Sequence, residues 1–127
     1  MSTIVCRGLR GATTVAANER ELILEATREL LERLVEANHI EVEDVASVIF
    51  SATSDLNAEF PAVAARQLGW HDVALFDCCE IDVPGALPKC IRVLIHWNTA
   101  RRPGELQHIY LRGAASLRPD RVLRVTS

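Results

Sequence analysis

The chain lacks most of the features that would mark it as a membrane, nucleic-acid or metal protein. Its 127 residues contain no uncharged apolar run near the roughly 18 residues that a membrane span requires. The formal net charge is −3, so nonspecific nucleic-acid binding, which needs a basic excess or stripe, is not expected. Neither G-x-G-x-x-G nor a P-loop is present. Cysteines stand at 6, 78, 79 and 90 without a C-x-x-C, and adjacent Cys78 and Cys79 cannot easily bridge each other. A zinc site would want closely spaced pairs with His or Cys partners. Reduced thiols in a cytoplasmic protein are expected, with no metal. The opening "MSTIVCRGLRG" has charges at Arg7 and Arg10 and no apolar h-region, so it does not read as a signal peptide. His39, His71, His96 and His108 share no spacing, and no Ser-His-Asp or Cys-His arrangement is evident. Nothing basic flanks Cys78 or Cys79 to favour a thiolate; Asp77 and Glu80 flank them instead.

What is present fits one globular domain over residues 1–127, with a flexible tail expected from about 119 to 127. Residues 3–10 read as a strand and 11–18 as turn and cap. Asn18 and Glu21 suggest a capping box. A helix is expected over 19–38, where Leu22, Ile23, Ala26, Leu30, Leu34 and Val35 form an apolar stripe, with Glu29 and Arg33 as an i,i+4 pair. Residues 45–53 read as a strand. Pro61 starts a short helix ending near Gly69. Further strands are expected over 72–77, 90–98 and 105–112, with a turn-rich segment "EIDVPGALP" between the first two. The order β-α-β-α-β-β-β gives an α+β domain with a mixed sheet. Two helices can cover only one sheet face. Strands 45–53 and 91–97 are apolar on nearly every residue, as if covered on both faces. A symmetric oligomer is the economical cover for the second face.

One strand carries a puzzle. In "CIRVLIHWN" (90–98), Ile91, Val93, Ile95 and Trp97 share a face, while Cys90, Arg92, Leu94 and His96 share the other. A guanidinium in apolar company is costly unless an anion pairs with it. Arg7, Arg10, Arg66 and Arg118 also fall on or beside predicted elements, and converging arginines would suit a small polyanion. Local surface ion pairs would explain the same residues. Glu80 could accept a hydrogen bond from a substrate hydroxyl or be a solvated turn carboxylate. Tyr110 could donate into a cleft or be a core ring with one wet edge. Composition and pattern thus reach an anion-binding domain without a covalent or metal-assisted mechanism, and no further.

The stretches "RGLRGATT" (7–14), "SATSDLNAEFPAVAARQLGW" (51–70), "PGALPKCIRVLIHWNT" (84–99) and "HIYLRGAASLRPD" (108–120), in this order and spacing, resemble the monofunctional chorismate mutases of the Bacillus type. The resemblance implies a mixed sheet with two helices on the outer face. It further implies a homotrimer whose sheets pack into a pseudo-α/β-barrel, with clefts at the subunit interfaces. The implied reaction is the Claisen rearrangement of chorismate to prephenate, in phenylalanine and tyrosine biosynthesis, without any cofactor. By the same resemblance Arg10, Glu80, Arg92 and Tyr110 match site residues of one subunit. Phe60 and Arg66 match the neighbour's contribution, and Leu117 and Arg118 match the cleft mouth. Cys90 matches a family cysteine beside the catalytic strand, without a chemical role. Asp77 holds a position beside the site where relatives often place Cys or Ser. Val63 stands where some relatives have a lysine, and "GW" at 69–70 is one residue shorter than in some relatives.

Chorismate carries two carboxylates, which arginines suit. The rearrangement is unimolecular, so the implied roles are orientation and charge stabilisation. Arg92 would face the ether oxygen as it gains negative charge, Arg10 a carboxylate or the developing charge, and Glu80 the ring hydroxyl. Trimeric imine deaminases, with similar arginine-lined interface clefts, are the alternative enzyme class. A catalytically silent trimer that binds an aromatic-pathway metabolite is the alternative without catalysis.

Overall fold

A computed structural model of the chain describes residues 3–117. The elements are β1 (Val5–Thr14), α1 (Arg20–Asn38), β2 (Val45–Ala52), α2 (Ala62–Gln67), β3 (Ala74–Cys79), β4 (Cys90–Thr99) and β5 (Ile109–Tyr110), with short 3-10 turns before β2 and on either side of β5. The sheet order is β3-β2-β4-β1-β5. β4 runs antiparallel to both β1 and β2, while β3 and β5 run parallel to their neighbours on the two edges. The sheet is mixed and the domain α+β, as expected.

Both helices lie on one face. Leu9 of β1, Val48 and Phe50 of β2, and Val93, Ile95 and Trp97 of β4 are buried there against Leu30, Leu31 and Leu34 of α1 and Ala62 and Ala65 of α2. Gly11 lets α1 approach β1, because a Cβ at that position would stand 3.0 Å from Leu34 Cδ1 and 3.1 Å from the Ile109 carbonyl. Buried Asn38 ties the end of α1 to the segment before β5. It donates to the Leu34 and Gln107 carbonyls and accepts from the Gln107 amide. His39 then turns the chain with φ of 55°. The other sheet face carries Cys6, Gly8 and Arg10 of β1, Asn98 of β4, and Ala74, Phe76 and Cys78 of β3, all exposed in the single chain. Phe76 is 65% exposed. Among the described residues no helix is long and apolar enough to cross a membrane.

Several local expectations are corrected. β1 continues through Thr14, because Gly11–Thr14 pair with Cys90–Val93, so the long partner strand overrides the turn-like composition of "GATT". Asn18 does not cap α1. Its side-chain oxygen accepts from the amides of Asn57 and Ala58, and Glu19 takes the N-cap position without a side-chain cap. Buried Leu24 and Leu31 widen the stripe on α1, while Leu22 and Val35 lie at its margins. Glu29 pairs with Arg112 at 3.1 Å rather than with Arg33. β3 begins two residues later than expected and includes Cys78 and Cys79. The strand expected over 105–112 shrinks to Ile109–Tyr110, since 3-10 turns at Pro103–Glu105 and Arg112–Ser116 take the flanks. The tail expectation for 119–127 lies outside the described residues.

Candidate active site

The ladder registers place Tyr110, Ala12, Arg92, Ser51 and Cys78 in one row across the five strands. Residues opposite each other share a face, here the face away from the helices. Arg92 therefore sits in mid-sheet between two small side chains, with room on both flanks. Arg10 lies two residues before Ala12 on the same face and is exposed. Its backbone amide donates to Nδ1 of His108 at 3.0 Å. Glu80 follows β3 directly, and its amide donates to the Ala52 carbonyl at 2.9 Å. The structure thus gathers Arg10, Glu80, Arg92 and Tyr110 on one sheet face.

The polar atoms of this group are incompletely paired. The Nε of Arg92 lies 3.5 Å from Oε1 of Glu80, an ion pair by distance, yet this buried nitrogen has no hydrogen-bond partner among the described residues. The hydroxyl of Tyr110 is likewise buried without one. An orphaned buried donor costs free energy, so two of them on one face suit an arriving acceptor. Around the Tyr110 ring, Ala12, Cys90 and Ala114 are buried, and Leu87 and Leu117 pack at the margin. Leu117 thus joins the group. Arg118 lies outside the described residues. Burial pushes the Cys90 thiol up, which keeps it protonated and unsuited to nucleophilic attack.

Phe60, Arg66 and Asp77 belong elsewhere in the single chain. Arg66 is exposed on α2, on the helix side of the sheet, and Phe60 is 65% exposed just before α2. The side chain of Asp77 also faces the helix side and accepts from the Ala62 amide at 3.0 Å. Burial pushes its carboxyl up, opposed by that hydrogen bond and by the charge of Arg66. Within one chain, β3 alternation turns Asp77 to the sheet face opposite that of Arg92. A cavity of about 560 Å³ beside Phe60, Pro61 and Asp77 is larger than the cleft of about 90 Å³ between Glu80, Leu87 and Arg92. The two cavities meet at Thr53 and Ser54.

A latch fixes the chain where it enters β4. Both carboxylate oxygens of Asp55 accept from the Lys89 amide, at 3.0 and 3.2 Å. The Thr53 hydroxyl donates to Asp55 and accepts from the Cys90 amide. Lys89 has a φ of 48°, a strained value that this clamp holds directly before Cys90, three residues ahead of Arg92. The Thr53 hydroxyl bond holds the Asp55 carboxyl below its ordinary value of 3.8, against the opposing effect of burial. A lowered folded-state value means stability that is present above 3.8 and lost as pH falls through the folded value. Asp55→Asn should therefore flatten the acid side of a Tm profile run from about pH 6 to about pH 2. Parallel wild-type and variant curves would rule out the latch as an acid-sensitive contact.

Sequence reasoning missed Ser51. Its hydroxyl donates to Oε1 of Glu80 at 2.8 Å. Only the strand register, which sets Ser51 opposite Arg92, reveals it.

A family model described as chorismate mutase type I matches residues 6–121. Chorismate mutase AroH of Thermus thermophilus is 52% identical over 115 residues, covering 90% of this chain and 94% of that protein. Chorismate mutase AroH of Bacillus subtilis is 46% identical over 118 residues, covering 92% and 93%. A solved chorismate mutase from Clostridium thermocellum aligns with a TM-score of 0.86 at 47% identity, over 87% of this chain and 98% of that one.

Proposed function

The chain belongs to the chorismate mutase type I family, and from that premise we propose that it converts chorismate to prephenate in clefts shared between the subunits of a cytoplasmic homotrimer. The observation that carries the reading is the pair of donors, Arg92 Nε and Tyr110 OH, orphaned among the described residues on the sheet face away from α1 and α2. A dianionic substrate supplies the acceptors that this face lacks.

The mechanism requires no nucleophile, general acid, general base or cofactor. The site holds the enolpyruvyl side chain folded over the ring, so that the new C–C bond can form as the C–O bond breaks. The ether oxygen gains negative charge along that path. A fixed guanidinium at Arg92 favours this charge more in the transition state than in the ground state. Arg10 binds a carboxylate or shares the developing charge, and Glu80 accepts from the ring hydroxyl. Tyr110 donates to the substrate from the edge of the row. Leu117 closes the apolar margin, and Arg118 is a further substrate-binding residue by the family resemblance. The neighbouring subunit contributes Phe60 and Arg66. Asp77 enters beside them from that same neighbour, held off the substrate by its bond to Ala62.

The trimer is supported by the exposed second face with Phe76 at its surface, and by the position of Phe60 and Arg66 on the helix side. Light scattering at micromolar concentration should give three times the mass of the 14.1 kDa chain. A monomer mass would end both the trimer and the shared cleft. Incubation with chorismate alone should deplete its absorbance and yield prephenate. Binding without depletion would instead make the protein a silent metabolite-binding trimer.

Tyr110→Phe removes a hydroxyl that has no hydrogen-bond partner among the described residues. Stability should stay level or rise by up to about 1 kcal/mol, while kcat/KM falls about tenfold. Steady-state kinetics together with thermal unfolding checks both; lower stability with unchanged kinetics would make the ring hydroxyl structural.

A further inference from the structure

We propose that Ser51 is a positioning residue for this reaction: its hydroxyl occupies Glu80 Oε1 and so keeps the Arg92 guanidinium from being captured by that carboxylate. The inference rests on the reading of Glu80 and Arg92 as site residues. Two donors compete for one oxygen. Ser51 Oγ donates to Oε1 at 2.8 Å, while Arg92 Nε stands 3.5 Å from the same atom and has no hydrogen-bond partner among the described residues. Ser51 and Arg92 are directly opposite in the β2–β4 ladder, so both reach the carboxylate from the same side. The Glu80 backbone cannot drift, because its amide is bound to the Ala52 carbonyl, the residue after Ser51. With that anchor, the side-chain torsions of Glu80 and Arg92 decide which donor the carboxylate serves.

Removing the hydroxyl leaves Arg92 as the donor closest to hand. A charge-assisted bond between guanidinium and carboxylate is short and strong, and Arg92 can offer a carboxylate two parallel donors. Such a closed pair would turn the guanidinium away from the substrate and use the acceptor meant for the substrate hydroxyl. Ser51 thus holds the two charges close enough to shape one site and far enough apart to leave both available.

The test compares wild type, Ser51→Ala, Ser51→Thr, Glu80→Ala and the double variant Ser51→Ala/Glu80→Ala, each with its unfolding temperature. Ser51→Ala should lose about tenfold in kcat/KM at unchanged stability. Ser51→Thr, which restores a hydroxyl at the same branch, should recover most of it. In the Glu80→Ala background, Ser51→Ala should change kcat/KM by less than about twofold, since the carboxylate it holds is gone. A Ser51→Ala enzyme with wild-type kinetics overturns the proposal. So does an equal tenfold loss in the Glu80→Ala background, which would mean that Ser51 acts on the strand and not on the carboxylate. A wild-type chain that leaves chorismate unchanged removes the activity and this role together, whereas wild-type turnover with an indifferent Ser51 removes only the role.

Discussion

Arg92→Lys should lower kcat by at least about 10²-fold, the scale of losing one preorganised donor at a developing oxyanion, with a much smaller change in KM. Lysine keeps the charge but loses the planar fork and shortens the reach. An interaction made mainly in the transition state is lost from kcat; one made equally in the ground state is lost from KM. The fold should survive the change. The Arg92 side chain is 26% exposed, sits on the face away from the helices, and gives up only the 3.5 Å ion pair with Glu80. Ala12 and Ser51 on either side leave room for a lysine stem to turn toward the cleft. Steady-state kinetics with thermal unfolding separates the cases. A fall in stability matching the fall in activity would make Arg92 a structural strand residue.

Arg66→Ala and Arg92→Ala should each lose most activity alone, yet trimers assembled from both variants should regain part of it. Arg92 rises from the open sheet face, while Arg66 is exposed on α2, which packs on the opposite face with Ala62 and Ala65 in the core. If the cleft takes Arg92 from one subunit and Arg66 from the next, a mixed trimer contains some clefts with both. Random one-to-one mixing makes about a quarter of the clefts complete. Co-expression with two affinity tags isolates the mixed species for assay. No recovery in demonstrably mixed trimers would place both arginines on one subunit's side of the cleft.

The parts of the fold that sequence exposes are those whose pattern is local. The stripe on α1 and the alternation in β4 were legible because burial repeats with the element's own period, and Ile91, Val93, Ile95 and Trp97 do share the core face. What depends on a distant partner was not. "GATT" reads as a turn until β4 extends beside it, and "ELQHIYLR" reads as a full strand until only two of its residues find β1. The candidate site divides the same way. Arg92 announces itself by being a charge in an apolar strand, and the family resemblance adds Glu80, Arg10 and Tyr110. Ser51 gives no local signal, because its meaning lies in a cross-strand register. Nor does sequence proximity show that Asp77, three residues before Glu80, faces the other side of the sheet within its own chain.

The central claim is that a fixed positive charge at Arg92 serves the breaking ether bond, with no acid, base or cofactor involved. Replacing Arg92 by citrulline, its neutral near-isostere, tests this most directly, since shape and most donors remain while the charge is removed. The account predicts an intact fold and a kcat at least about 10²-fold below wild type on chorismate. A citrulline enzyme with near-wild-type kcat would contradict it.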